Sequence, residues 1–98
     1  MEQEIKVKTY KEFHDRVDAK DFKISQMIVE SILQNLDSPK PKIHILSVNC
    51  IDEDTTYDLS LEKGYFADTL QENLQYFIEN EQFEKCSEIT KVIEQLKK

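Results

Sequence analysis

Residues 42–61 decide the fold class, and they read KIHILSVNCIDEDTTYDLSL. The segment 42–51 is rich in β-branched side chains, and 56–61 alternates between polar and apolar side chains, so each predicts a strand. The polar residues 52–55 between them predict the turn of a β-hairpin. An antiparallel hairpin is therefore expected near the middle of the chain.

The alternation assigns each hairpin side chain to a face. A four-residue loop places Cys50 opposite Tyr57, and the same apolar face continues through the pairs Val48–Leu59 and Leu46–Leu61. His44 shares the parity of Leu46. Three isoleucines fall on the opposite face: Ile43, Ile45 and Ile51. Either a β-bulge shifts the register, or that face is covered by an N-terminal strand or by a second copy of the chain in a homodimer.

Helix signals precede the hairpin. Thr9 and Glu12 form a capping-box pattern, which predicts a first helix ending near Ala19. Asp21 caps a second helix with a broad apolar stripe, and the prolines within 37–41 end it. Before both helices, the alternating residues 4–8 predict a short edge strand.

Two more helices are predicted after the hairpin. Gly64 breaks the strand pattern, and apolar stripes then indicate helices over 65–80 and 82–97. Only 79–81 separates the stripes, so the helices are expected to form an antiparallel αα-hairpin. The stripes contain Phe66, Leu70, Leu74, Phe77 and Ile78, then Phe83, Cys86, Ile89, Val92, Ile93 and Leu96. The sequence thus predicts one α+β domain over 1–98 in the order (β)-α-α-β-β-α-α.

The C-terminal helical pair, residues 70–96, resembles the UVR motif. This is a helical hairpin of excision-repair nuclease subunits, some Clp-type chaperones and activators of protein-arginine kinases. Phe83-Glu84 stands at the Phe-Glu pair of the motif, Cys86 and Ser87 stand at its two small positions, and the aliphatic positions hold Ile89, Ile93 and Leu96. Departures from the motif fall at Phe77, Gln82, Thr90 and Lys91. The resemblance implies a protein-docking hairpin and no catalysis.

Charge is distributed unevenly along the chain. The formal net charge is −7, and all of this excess lies in 50–98, because the acidic and basic residues of 1–49 cancel. A protein that binds duplex DNA or an anionic membrane is expected to carry the opposite sign. We therefore expect a protein partner with a basic surface, and no direct nucleic-acid or membrane partner. Tyr76 lies off the main stripe of its helix, as an aromatic anchor at an interface would. The expected partner-binding residues are Asp52, Glu53, Asp54, Asp58, Glu72, Tyr76, Glu79 and Glu84.

Composition argues against several kinds of site. The chain has one glycine, whereas phosphate-binding loops need several close together. Cys50 and Cys86 form no CxxC pair of the kind used in zinc and redox motifs. A calcium loop starting at Asp52 would have Tyr57 where glycine is needed and Lys63 where glutamate is needed. The sequence predicts no cofactor, no metal and no catalytic residues, and hence a protein that is not an enzyme.

The resulting prediction is a small acidic regulatory or adaptor protein that acts through its acidic C-terminal half. The alternative is a phage-type acidic inhibitor that occupies a nucleic-acid-binding site on a host protein. Arg16 is the single arginine beside many lysines, a bias of AT-rich microbial genomes and their phages. The first residues, MEQEIKVK, lack the apolar run of a secretory signal, so a cytoplasmic location is expected.

Overall fold

The three strands form one mixed sheet. The computed structural model describes residues 3–97. In chain order the strands are β1 (Glu4–Val7), β2 (Lys42–Cys50) and β3 (Thr55–Glu62). They lie side by side in this same order, with β2 in the middle of the sheet. β1 runs parallel to β2, and β3 runs antiparallel to it. The predicted hairpin and the N-terminal edge strand are both confirmed.

Four helices complete the domain. α1 (Tyr10–Asp18) and α2 (Phe22–Gln34) make the crossover between the parallel strands β1 and β2. After β3, α3 (Phe66–Glu79) and α4 (Phe83–Leu96) pack on each other as a hairpin. The predicted α+β fold is confirmed. No helix within residues 3–97 has both the length and the hydropathy to cross a bilayer.

Side-chain caps explain where the first two helices begin. Thr9 Oγ1 accepts a hydrogen bond of 3.2 Å from the Glu12 backbone N–H. The Glu12 carboxylate accepts in turn from the N–H of Lys8, 2.6 Å away, rather than from that of Thr9. At α2, Asp21 Oδ1 accepts from the N–H of Lys23 at 2.9 Å. Each cap satisfies backbone donors that the first helical turn leaves unpaired.

The predicted hairpin register is wrong by two residues. Cys50 lies opposite Thr55 rather than Tyr57, and the neighbouring pairs are Val48–Tyr57 and Leu46–Leu59. The turn occupies residues 51–54, where a 3₁₀ turn is followed by Asp54 in the left-handed region at φ 49°. β3 therefore begins earlier than the alternation suggested. A slip of two residues keeps every side chain on its face, so the apolar face was still assigned correctly.

A β-bulge resolves the placement of the isoleucines. The register shifts between His44 and Leu46, leaving Ile45 as the extra residue. Ile43 and Ile45 are consequently buried on the helical side, and no second copy is needed to cover them. His44 turns to the outer face, contrary to its predicted parity with Leu46. Ile51, which is 60% exposed, belongs to the turn and to neither face.

The core lies between the inner face of the sheet and the helices, and extends between α3 and α4. Its fully buried side chains include Val29, Ile32, Leu46, Val48, Phe66, Leu70 and Ile89. Three residues predicted for the apolar stripes are instead exposed: Ile78, Phe83 and Leu96. Each lies in a terminal turn of its helix, where the facing helix ends and offers little cover.

Candidate functional site

A buried polar contact fixes the rotation of α3 against α2. Ser25 donates a hydrogen bond to Asn73 Oδ1 at 2.7 Å, and the Asn73 amide donates to Thr69 O at 2.8 Å. Nearby, the rings of Phe22 and Phe77 meet edge to face with centroids 4.9 Å apart. Because Asn73 and Phe77 both point inward, the opposite side of α3 must face solvent.

The solvent face of α3 is acidic, and its charge is not offset by any basic side chain of the helix itself. Asp68, Glu72 and Glu79 are all exposed on it, and the helix contains no lysine, arginine or histidine. None of the three forms a salt bridge within residues 3–97. The helical rise separates them by about 6 Å and about 10 Å along the axis. This acidic face of α3 is the candidate functional site.

The negative charge of Glu79 interacts unfavourably with the dipole of its helix. It occupies the last turn of α3, where backbone carbonyls already concentrate negative charge and no basic side chain is present. A carboxylate in this position costs about 0.3–1 kcal/mol relative to a neutral residue. Folding alone therefore does not favour this charge.

Tyr76 and Glu72 line a groove beside the acidic face. The groove has a volume of about 210 Å³ and lies between α3 and the corner that joins α1 to α2. Its apolar lining comes from Val17, Ile24 and Ile28, and Lys20 also lines it. The structure thus brings the half-buried side chain of Tyr76, an apolar recess and the carboxylate of Glu72 together. The role of Tyr76 as an interface anchor stays a prediction.

Glu84, another of the predicted partner-binding residues, is exposed in the first turn of α4. The adjacent Lys85 does not offset it, because its ammonium pairs with Glu30 on α2 at 3.0 Å and with Glu88 at 3.2 Å. The hydrogen bond to Glu30, supported by that to Glu88, raises the pKa of Lys85. This lysine acts as a link between α4 and α2.

The hairpin tip holds three more of the predicted acids, and one of them has a structural role. Glu53 Oε1 accepts a hydrogen bond of 2.8 Å from the N–H of Tyr10, at the start of α1. Tyr10 stacks in turn on Tyr57, with ring centroids 4.4 Å apart. Asp52 and Asp54 are exposed. Within residues 3–97, no hydrogen bond or salt bridge joins these acids to those of α3.

Asp58 belongs to a third group, on the outer face of the sheet, which the sequence did not predict. Ser47 Oγ donates to Asp58 Oδ1 at 2.6 Å and lies 3.0 Å from His44 Nε2. The same Nε2 is 3.5 Å from Asp58 Oδ1. The hydrogen bond from Ser47, followed by the contacts with His44, lowers the pKa of Asp58.

This group does not have the geometry of a nucleophilic triad. In such a triad one ring nitrogen takes the serine proton while the carboxylate holds the other nitrogen. Here Nε2 of His44 faces both groups, and the proton of Ser47 points at Asp58 instead of the ring. The three side chains form a surface hydrogen-bond network across β2 and β3. Only the bulge brings them together, since it turns His44 outward.

A polar groove in the neutral half of the chain was also not predicted. It has a volume of about 570 Å³ and lies where β1 leaves part of β2 uncovered. Its lining includes Gln3, Ser31, Gln34, Asn35, Lys40 and Lys42. It forms from segments far apart in sequence, so no local pattern could reveal it.

The comparisons with known proteins give no relative for this chain. No family model matches it, no curated protein matches it, and no solved structure matches it. The resemblance of residues 70–96 to the UVR motif therefore stays a prediction. Within residues 3–97, no three histidine, cysteine, aspartate or glutamate side chains are grouped to hold a metal ion.

Proposed function

We propose that this protein is a non-enzymatic regulatory or adaptor module that binds a basic surface of a partner protein through the acidic face of α3. The observation that carries the proposal is the set of three exposed carboxylates on a helix without any basic residue. Such a face favours encounter with a positively charged surface and disfavours binding to DNA or anionic lipid.

Two further features support a docking role. Glu79 occupies a position where the helix dipole disfavours a negative charge, which suits a charge used for binding rather than for folding. The groove beside Tyr76 supplies the apolar contact that a purely electrostatic surface lacks. The resemblance to the UVR hairpin points the same way. The proposal includes a cytoplasmic location, as the sequence predicts.

A charge-reversal experiment tests the proposal. Partners captured from a lysate at low and high salt are identified, and the purified partner is titrated calorimetrically against the Glu72→Lys/Glu79→Lys variant. Reversing two interface charges should weaken binding about ten-fold. The matched control is Glu4→Lys/Asp37→Lys, which changes the net charge equally at exposed positions elsewhere. Equal weakening by both variants would show that only net charge matters, and would contradict the proposal.

The same partner distinguishes the alternative function. An inhibitor that occupies a nucleic-acid-binding site should compete with a DNA or RNA oligonucleotide for that partner. An adaptor should bind the partner with the nucleic acid still in place. In both cases the affinity must fall with added salt, because exposed charges are screened. Binding that is insensitive to salt would refute both functions.

A further inference from the structure

The outer edge of β3 is a free strand edge. β3 is the last strand of the sheet, and its eight residues pair only with β2 within the described chain. The N–H of Lys63 donates to Pro41 O at 2.9 Å, so the backbone N–H of this odd-numbered residue points toward β2. Since peptide groups alternate in direction along a strand, the even-numbered residues point away from β2. Those residues are Thr56, Asp58, Ser60 and Glu62.

The two edge strands of the sheet, β1 and β3, differ in the features that prevent pairing with a further strand. β1 is only four residues long and carries Lys6, a common feature of edges that avoid further strands. β3 is twice as long, has no lysine or proline, and contains no bulge, because the extra residue lies on β2. Its two threonines and its tyrosine are residues of high β-propensity. The edge of β3 can therefore accept a further strand.

The inner side of β3 is incompletely covered. Leu59 and Leu61 face the helical layer but are only half-buried, and Tyr57 is 39% exposed. Their cross-strand neighbours on β2 are fully covered, so the helical layer ends beneath β3. An added strand with apolar side chains on this side would remove the remaining apolar surface from water.

β3 contributes only negative charge to its outer side, and Lys42, which lies opposite Glu62 on β2, forms no salt bridge with it within residues 3–97. Asp58 and Glu62 lie on this outer side about 13 Å apart, the rise of four strand residues. The Asp58 side chain is 67% exposed although its Oδ1 contacts Ser47 and His44. Asp52 and Asp54 extend the negative charge beyond the start of the strand. Two copies of this edge would repel each other, whereas a basic segment would be attracted.

We propose that the free edge of β3 binds an extended basic peptide segment of a partner protein as a fourth strand of the sheet. This surface is distinct from the acidic face of α3. In the bound peptide, the residues opposite Asp58 and Glu62 are basic, and the residues opposite Leu59 and Leu61 are apolar. The recognised pattern is therefore basic–apolar–any–apolar–basic, which reads the same in both strand directions.

The first test uses the capped synthetic peptide Thr-Lys-Val-Thr-Val-Lys-Thr. NMR titration should shift the amides of Thr56, Asp58, Ser60 and Glu62 and slow their hydrogen exchange, because these N–H groups gain acceptors. A control peptide of the same composition, with lysine and valine exchanged, should bind at least five-fold more weakly. Shifts confined to side chains, or to the acidic face of α3, would overturn the proposal.

Backbone methylation of the peptide tests strand pairing itself. Only alternate residues of an added strand direct their N–H groups at β3. N-methylation of one alternating set should therefore weaken binding at least ten-fold, and methylation of the other set should leave it unchanged. Equal sensitivity of both sets would mean that charge alone holds the peptide, and would refute the added strand. This test uses the wild-type protein.

Protein variants complete the design. Ser60→Pro removes an outward N–H at an edge position where proline is tolerated, and should abolish peptide binding while far-UV circular dichroism stays unchanged. Asp58→Asn and Glu62→Gln should each weaken binding about two- to five-fold. Glu94→Gln, exposed on α4, is the matched control and should bind normally. Light scattering that shows a dimer disrupted by Ser60→Pro would assign the edge to a second copy instead.

Discussion

Removing the hydroxyl of Ser25 is expected to destabilise the protein substantially. In Ser25→Ala, Asn73 Oδ1 loses the donor that lies 2.7 Å away, in a contact whose two side chains are both buried. A buried acceptor left without a partner costs about 1–3 kcal/mol. For a domain of this size, each kcal/mol lowers the melting temperature by about 4–8 °C. A loss near 2 kcal/mol therefore predicts a fall of about 8–16 °C.

The double variant Ser25→Ala/Asn73→Leu supplies the decisive comparison. It removes both polar groups at once and leaves no unpaired acceptor, so it should be more stable than Ser25→Ala alone. Urea unfolding, monitored by circular dichroism, gives the free energy of unfolding of each variant. An unchanged m-value would show that the surface exposed on unfolding is the same. Ser87→Ala, at an exposed position on α4, is the control. The reasoning is refuted if Ser25→Ala matches wild type within about 0.3 kcal/mol, or if the double variant is no better than the single one.

Three further predictions concern reactivity, acid stability and packing. Burial, reinforced by the Glu53 carboxylate, raises the pKa of the Cys50 thiol, so a thiol reagent should label only Cys86 in the native state; labelling of both would contradict this. Burial acts to raise the pKa of Asp21, but Arg16, 2.8 Å away, and two backbone N–H groups outweigh it, so the folded pKa is lowered. The carboxylate therefore stabilises the fold above about pH 4, and this gain disappears as the pH falls through the folded pKa. Asp21→Asn should be less stable than wild type at neutral pH by up to about 1 kcal/mol, and a deficit that persists in acid would be inconsistent with this. Leu70→Ala, at a fully buried position, should cost about 2–5 kcal/mol in urea unfolding, and a cost below about 1 kcal/mol would contradict the packing.

Local patterns were sufficient for the elements and their order. The caps at Thr9 and Asp21 predicted the helix starts, because a side chain that satisfies orphan N–H groups acts within a few residues. The alternation of 56–61 predicted β3. The hairpin pairing could not be predicted, because one residue in a left-handed conformation, Asp54, changes where the second strand begins.

The candidate site was predictable in part. The charge tally placed the acidic excess in the second half, and the helical periodicity placed Glu72, Tyr76 and Glu79 along α3. No pattern showed that Glu53 caps α1 or that Lys85 pairs with Glu30, since both contacts join segments more than forty residues apart in sequence. These contacts distinguish Glu53 and Glu30, which connect segments of the fold, from the exposed carboxylates of α3, which we propose to bind a partner.

The sequence by itself determined the α+β class, the element order and the helical hairpin, because each depends on periodicity and capping within one segment. The tertiary structure alone decided which way β2 presents its side chains. The bulge at Ile45 buries both Ile43 and Ile45 and turns His44 toward Ser47 and Asp58. The period-two pattern left a bulge as one of two explanations and could not place the extra residue, because its position is selected by how the strand packs against the helices. The same packing leaves the edge of β3 open.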